Sequence, residues 1–279
     1  MSSKKKIGTH EIGLDIGVVL AKYFFKTEYM HYGFWKEGVA INVDNLPQAQ
    51  EEYANLLLSN IPEGTKTILD VGCGIGTVAE KLLNAGYEVD CVSPSPQLTQ
   101  YTRNRLGSRS HIYESLYQDA QIPKRYDMVL FSESFQYIPL EEALKKTLSL
   151  LNPGGYLLIC DFFRKEVQGE SPISGGHKLA RFYEILPQYP LKTIVDLDIT
   201  RETAPSLDIM DDILTNVVHP IWNAVAYYMN VNHPAVSKLF VWKNREKIEK
   251  AHRKYFTHRT NGTHFQQFKS YRLMVFQQK

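Results

Sequence analysis

Between residues 67 and 161 the apolar positions form short continuous runs, separated by stretches with helical spacing. The runs at 67–71, 87–92, 110–114, 126–131 and 156–161 predict buried strands. The stretches at 76–85, 96–106 and 140–151 place apolar residues three and four apart and predict helices. Asn152-Pro153-Gly154-Gly155 reads as a turn ahead of the run at 156–161. Strands alternating with helices predict a parallel sheet covered on both faces. Upstream, 46–60 has helical spacing with Pro47 near its start, and a helix there would lead into the first strand.

Beyond Asp161 the rhythm changes. Gly175-Gly176 precedes a helix around 177–186, and 191–200 reads as a strand. Residues 206–256 read as helices broken at Pro220 and Pro234, and 270–277 reads as a last strand. A strand arriving after so much helix predicts an antiparallel pair closing the sheet. Residues 1–15 are polar and predict a poorly ordered lead, whereas 16–36 are rich in aromatics. There is no internal repeat and no low-complexity tract.

Composition narrows the classes. A chain of 279 residues with 43% hydrophobic content can bury one sizeable core with additions. Its net charge of +2 argues against a broad basic surface for nucleic acid. No apolar run follows Lys4-Lys5-Lys6 as in a secretion signal, and runs such as 156–160 are too short to span a bilayer. Cys73, Cys91 and Cys160 all fall in or beside strands, which suggests buried thiols in a reducing, cytoplasmic setting. His219, His233, His252, His258 and His264 show no ligand spacing, so no metal is expected. The charged stretch 243–255 reads as a solvated helix face.

The chemistry concentrates at 68–83, ILDVGCGIGTVAEKLL, a strand running through glycines into a helix. Such a unit cradles a nucleotide. Gly76 is followed by Thr77-Val78, so the Lys-Ser/Thr pair of a phosphate-binding P-loop is missing. Gly72, Gly74 and Gly76 run G-x-G-x-G, with Asp70 two residues ahead. A carboxylate there would repel a pyrophosphate but could pair with an ammonium group. S-adenosylmethionine has an α-amino group, a carboxylate and a sulfonium, and no phosphate.

This segment, with YDMVLFSESFQYI and LLNPGGYLLICDFF, resembles the class I S-adenosylmethionine-dependent methyltransferases over roughly residues 66–163. The resemblance implies a Rossmann-like α/β fold, with a seven-stranded, mostly parallel sheet, helices on both faces and a helical, aromatic cap. It implies S-adenosylmethionine as cofactor and S-adenosylhomocysteine as product. Asp70, Gly72, Cys73, Gly74 and Gly76 would hold the cofactor, with Pro94, Ser115, Leu116 and Ser132 beside them. At the end of the second strand, where the family carries an acid for the ribose hydroxyls, this chain has Ser93, which cannot grip both. The adenine register after the third strand stays open among Glu114, Ser115, Leu116 and Asp119.

Methyl transfer depends mainly on alignment and exclusion of water, with a base only where the acceptor loses a proton. The fourth strand lacks the Asn/Asp-Pro-Pro-aromatic run of amide and nucleobase methylators. It ends instead on Glu133, either a base or a positioning group. EYMHYGFW at 28–35 looks like the aromatic lid segment of small-molecule methyltransferases, which makes Tyr32 and His31 lid residues and Tyr23 a weaker candidate. His177, past the glycine pair, is a candidate base, and Arg181 a candidate contact for an acidic acceptor. The expected partner is a small, apolar or aromatic acceptor, bound by a monomer or homodimer with no nucleic acid and no membrane span. Residues 1–60 would form lead and cap, and 61–279 the methyltransferase domain with acceptor-binding insertions at about 162–190 and 205–265. The rival expectation is a protein of this fold that binds the cofactor, or a related ligand, without methyl transfer.

Overall fold

The computed structural model describes residues 21–169 and 171–279; the side chains of residues 254 and 255 are outside the description. The polar lead and the start of the aromatic stretch, residues 1–20, lie outside the described residues.

Helix α1 (Leu46–Ser59) takes Pro47 in its first turn, where a missing N–H costs nothing. It buries Ala49, Gln50, Tyr53, Ala54 and Leu57, one helical stripe. The alternation then follows as β1 (Thr67–Val71), α2 (Thr77–Asn84), β2 (Glu88–Ser93), α3 (Pro96–Leu106), β3 (Ile112–Glu114), β4 (Tyr126–Ser132), α4 (Leu140–Leu150) and β5 (Leu151–Arg164). Helix α5 (Leu179–Ile185) leads to β6 (Leu191–Asp198). Next come α6 (Thr200–Thr203), α7 (Pro205–Ile213), α8 (His219–Asn232), α9 (Pro234–Tyr255) and α10 (Gly262–Phe268), before β7 (Lys269–Gln278).

The seven strands lie in the order β3-β2-β1-β4-β5-β7-β6. The first five run parallel, and β7 is antiparallel to both β5 and β6. Chain order reverses between β1 and β4, so a crevice opens at their carboxyl ends. Side chains alternate across the sheet. Ile68, Met128, Leu130 and Leu158 pack toward Tyr53, Leu82 and Phe265. Leu69, Val129, Phe131 and Leu157 pack toward Leu144 and Phe182. Each such fully buried side chain stabilises the fold by about 1.5–3 kcal/mol.

Four sequence expectations shift. The Asn152–Gly155 turn sits inside β5 as an irregularity, the pairing jumping from Tyr126↔Leu151 to Met128↔Tyr156. Gly155 is required there, because a Cβ would lie 2.8 Å from the Asn152 carbonyl. Strand β6 stops at Asp198, whose Oδ1 accepts the Thr200 N–H (3.0 Å) and starts α6 instead. Pro220 does not break the helix, since a wider π-turn at Leu214–Val218 precedes it and carries the chain through. Pro234 does break it: His233 leaves helical geometry (φ −135°, ψ 56°). Helix α10, capped by Asn261 Oδ1 on the His264 N–H (3.0 Å), was not foreseen.

The aromatic segment 27–35 lies across the carboxyl edge and is tied from two sides. The buried Gln50 accepts from Thr27 Oγ1 (2.6 Å) and donates to the His31 carbonyl (2.5 Å). Ser206 of α7 accepts from the Gly33 N–H (2.9 Å) and Trp35 Nε1 (3.0 Å). Replacing Gln50 by Ala leaves the His31 carbonyl without its donor and the Thr27 hydroxyl without its acceptor, which costs about 1–3 kcal/mol. Gln50→Ala is expected to lower the melting temperature and to speed protease cleavage within 27–35. Unchanged cleavage would show that the segment's other ties, to Ser206, Glu133 and Glu51, hold it without Gln50.

Candidate active site

The crevice is a cavity of about 490 Å³, in the range of small-molecule sites. Its floor is the turn after β1. Gly72 (φ 80°) approaches the loop after β4 so closely that a Cβ would sit 2.3 Å from Ser134 Cβ. Ser134 Oγ in turn donates to the Val71 carbonyl. Gly74 (φ 57°) faces Met30 of the aromatic segment, whose Sδ a Cβ would meet at 3.3 Å.

Two carboxylates stand in this cavity. Asp70 is 1% exposed, and its Oδ2 is buried with no hydrogen-bond partner among the described residues. Burial pushes its pKa up to about 7. Glu133 follows β4 in left-handed geometry (φ 57°), a conformation costly for a non-glycine residue. Its Oε1 accepts from the Tyr32 N–H (2.7 Å) and from Tyr271 Oη (2.6 Å). Oε2 carries none of the described hydrogen bonds. Burial raises the Glu133 pKa to about 7, against the lowering effect of the two bonds on Oε1. Tyr271 Oη also lies 3.0 Å from Tyr53 Oη, which reaches Ser132 Oγ at 3.3 Å. Below Glu133, buried Asp161 is raised to about 8, mainly by desolvation. It accepts from the Gln136 N–H (3.0 Å) and Nε2 (3.1 Å).

His31 forms the opposite wall. Its ring stacks on Tyr53 (4.2 Å), and Nδ1 lies 2.8 Å from the Tyr32 carbonyl. Desolvation lowers its pKa to about 4, so the ring is neutral. Nδ1 facing a carbonyl is then the N–H, and Nε2 is an acceptor, buried without a partner among the described residues. A third unpartnered buried acceptor, Gln118 Oε1, lies at the far end of the cavity beside Leu116.

Among the residues expected from sequence, Asp70, Gly72, Cys73 and Gly74 line the cavity. So do Ser93, Pro94, Leu116, Ser132, Glu133 and His31. Ser93 is 3% exposed, and its Oγ accepts the Ser95 N–H at 3.4 Å.

Seven expected residues are placed elsewhere. Gly76 instead lets α2 approach α3, where a Cβ would lie 2.9 Å from Thr102 Cγ2. Ser115 turns its hydroxyl to the Leu116 carbonyl (3.0 Å), which puts the cavity contacts one to three residues later. Tyr23 is 76% exposed and edges onto Phe24 (5.0 Å). Tyr32 reaches Glu133 through its backbone, while its ring packs on Phe265 (5.8 Å) and Tyr271 (5.9 Å). His177 is outside the cavity lining: its Nε2 sits 3.1 Å from the Phe135 carbonyl and pins the glycine pair to the body. Arg181 pairs with Glu184 (3.0 Å), and Glu114 with Arg103 (3.0 Å), both away from the cavity.

Tyr271, Tyr53, Met30 and Gln118 were not singled out from sequence. Tyr271 lies in the last strand, in register with Phe162 of β5. Only the sheet order, which puts β7 beside β5, brings it to Glu133.

Comparison with known proteins agrees with this geometry. A family model described as a methyltransferase domain matches residues 46–192. Malonyl-[acyl-carrier protein] O-methyltransferase 2 of Ilyobacter polytropus is 32% identical over 101 residues, 34% of this chain and 39% of that protein. Malonyl-[acyl-carrier protein] O-methyltransferase of Anoxybacillus flavithermus is 27% identical over 128 residues, 44% of this chain and 49% of that one. The chain therefore spans less than half the length of either relative. Among solved structures, the [4+2]-cyclase SpnF superposes with a TM-score of 0.66 at 14% identity, over 100% of this chain and 99% of that one. Geranyl diphosphate C-methyltransferase from Streptomyces coelicolor A3(2), solved with S-adenosyl-L-homocysteine, gives 0.64 at 13% identity, over 99% and 100%. At those identities the likeness establishes the Rossmann-like methyltransferase fold. The match over 46–192 covers more than half of the sequence, and the chain belongs to the class I S-adenosylmethionine-dependent methyltransferases.

Proposed function

We propose that this chain transfers a methyl group from S-adenosylmethionine to O, N or C of a small, apolar or aromatic acceptor and releases S-adenosylhomocysteine. The observation that carries this reading is Asp70: a carboxylate with Oδ2 buried and unpartnered, at the rim of a glycine cradle. Such a group is costly until a cation meets it. The cofactor's α-ammonium fits that need, and a pyrophosphate does not.

S-adenosylmethionine, when bound, supplies a methyl group on a positively charged sulfur. Asp70 and the unprotonated Nε2 of His31 would hold the amino-acid end as acceptors. Gly72 and Gly74 let the backbone come close. Gln118 Oε1 is the acceptor at the other end, suited to an amino group of the base. Glu133 Oε2 would take a proton from an acceptor that must lose one, while Tyr271 and the Tyr32 N–H fix Oε1. The segment 27–35 would exclude water above them as a cap, while the expected acceptor-binding insertions at about 162–190 and 205–265 contribute no residue to the cavity lining. Three buried free thiols support a reducing, cytoplasmic setting. Among the described residues no cluster of His, Cys, Asp or Glu could hold a metal.

Ser93 favours a second reading. Its hydroxyl already serves Ser95, so the ribose lacks the family's acidic grip. A pocket that binds without transferring would match the neighbour described as a [4+2]-cyclase. Production of S-adenosylhomocysteine across an acceptor screen separates the two: binding with no product from any acceptor favours the second.

Calorimetric titration should show micromolar binding of both S-adenosylmethionine and S-adenosylhomocysteine. Affinity should rise as pH passes about 7, because ligand binding needs the Asp70 carboxylate ionised. Asp70→Asn is expected to weaken both ligands at least about tenfold, the loss of a charge-assisted bond. The same variant should be more stable at alkaline pH. The native carboxyl titrates near 7 and an unfolded one near 3.8, so ionisation destabilises the fold progressively across that interval. Asn removes that cost above pH 7 and changes little in acid. Equal affinity in Asp70→Asn would detach the glycine turn from the cofactor.

Glu133→Gln should lower turnover about 10²-fold with little change in cofactor affinity. Wild-type turnover should climb through about pH 7 as Glu133 ionises, a limb that Gln abolishes. A retained limb would assign that step to another group.

A further inference from the structure

Helices α8 and α9 form a hairpin that stands off the body. His219, opening α8, stacks on Phe256, just past α9 (4.6 Å), and Ser237 Oγ donates to Asn230 near the turn. The two arms therefore lie side by side with their turn at His233–Pro234. No residue of α8 is buried. Apolar side chains are instead open on both arms: Trp242 is 77% exposed, Tyr227 72%, Leu239 61% and Phe240 54%. A protein in water rarely presents so large an apolar patch without a partner for it.

Charge along the hairpin is graded. Helix α8 holds no Asp, Glu, Lys or Arg at all. The first nine residues of α9 hold one, Lys238, and from Lys243 onward six basic residues face two Glu. Residues 219–255 thus carry a net charge of +5 while the whole chain carries +2, which leaves −3 for the rest. At 1.5 Å per residue, Trp222 sits about 16 Å and Trp242 about 12 Å from the turn. The order from the turn is therefore a tip with Lys238 as its one charge, a band of open apolar side chains that includes Trp242 and Trp222, then a basic collar on α9.

We propose that the α8–α9 hairpin docks this protein on an anionic lipid surface, its tip in the headgroup–acyl boundary and its basic collar on the lipid phosphates. Tryptophan is favoured at that boundary, and an amphipathic element with a basic polar part lies there at depths of about 5–10 Å. Lys238, near the tip, can extend its stem to the phosphates. No helix among the described residues is long and apolar enough to cross a membrane, so the association is peripheral. Two other occupants fit less well. A second copy would set a collar of net +5 against another of the same sign. A nucleic acid would answer the collar but not the open apolar side chains ahead of it. The proposal is independent of the methyl-transfer reading, and its test does not use activity.

The full chain is mixed with vesicles of phosphatidylcholine alone, or with about one-third phosphatidylglycerol, and sedimented. Binding to the anionic vesicles is expected, falling as salt rises. Tryptophan emission should shift to the blue, and since Trp35 is 5% exposed the shift reports Trp222 and Trp242. Leu239→Asp with Phe240→Asp should abolish the shift and the binding, with helix content unchanged. Lys243→Glu with Lys247→Glu, which leaves the tip intact, should weaken binding at least about tenfold. Two results would overturn the proposal. One is a chain that stays in the supernatant with anionic vesicles at low salt, or binds neutral vesicles equally well. The other is a dimer in solution that the Leu239/Phe240 variant converts to monomer, with no vesicle binding, which would make the hairpin an interface between copies.

Discussion

Burial of negative charge without a cation is the constraint on which this site depends. Asp70 and Glu133 lie near the carboxyl ends of β1 and β4, neighbours in the sheet, where both pKa values rise to about 7. Neither forms an ion pair with a Lys or Arg among the described residues, although such pairs are frequent on the surface of this chain. The fold thus holds two acidic groups where water is scarce, and on the proposed reading a cationic ligand would supply the compensating charge. The surrounding features follow from that. The glycines bring backbone rather than side chain to the cavity floor, and the aromatic segment closes it with a neutral His31 in place of a cation.

The two carboxylates are treated differently, and this gives them different parts. Asp70 Oδ2 has no protein partner and so the strongest demand for a positive group. Glu133 is half satisfied, with both of its bonds on one oxygen, from a tyrosine hydroxyl and a backbone N–H. Donors on Oε1 orient the carboxyl and favour its ionised form, while burial opposes ionisation. The balance raises its pKa to about 7, which is what the proposed base role of Oε2 would use. The strained backbone of Glu133 fits a residue whose aim matters more than its comfort.

The central part of this arrangement was legible in the sequence, because it is local. Asp70, Gly72 and Gly74 share one strand and one turn, and spacing alone places them. Strands β1, β2, β4 and β5 were legible for the same reason: each buried run is bounded by its own breaker, whereas β3 is a short edge strand with no buried residue. What was not legible depends on contacts across the sheet. Tyr271 reaches Glu133 from a strand 138 residues away, through a sheet order that hydrophobic spacing does not encode. His177 and Tyr23 carry plausible side chains for chemistry, but their position relative to the cavity is set by tertiary packing: one is pinned to a carbonyl, the other lies on the outside. Pro220 failed as a breaker because a preceding π-turn made room for it.

The same logic separates the hairpin from the body. Within the sheet, apolar side chains find apolar neighbours and the polar positions face out, so pattern and burial agree. In α8 they disagree, since an apolar helix without a charge has no buried residue. An amphipathic stripe would have been answered by the protein's own core. An uncharged element with open apolar side chains along its length is not answered by one neighbouring helix, and α9 covers only part of it. The surface left over is ordered along the hairpin axis, apolar on the turn side of the tryptophans with Lys238 as its one charge and basic at the base, not around it. That axial gradient matches a boundary entered end-on, where polarity changes with depth.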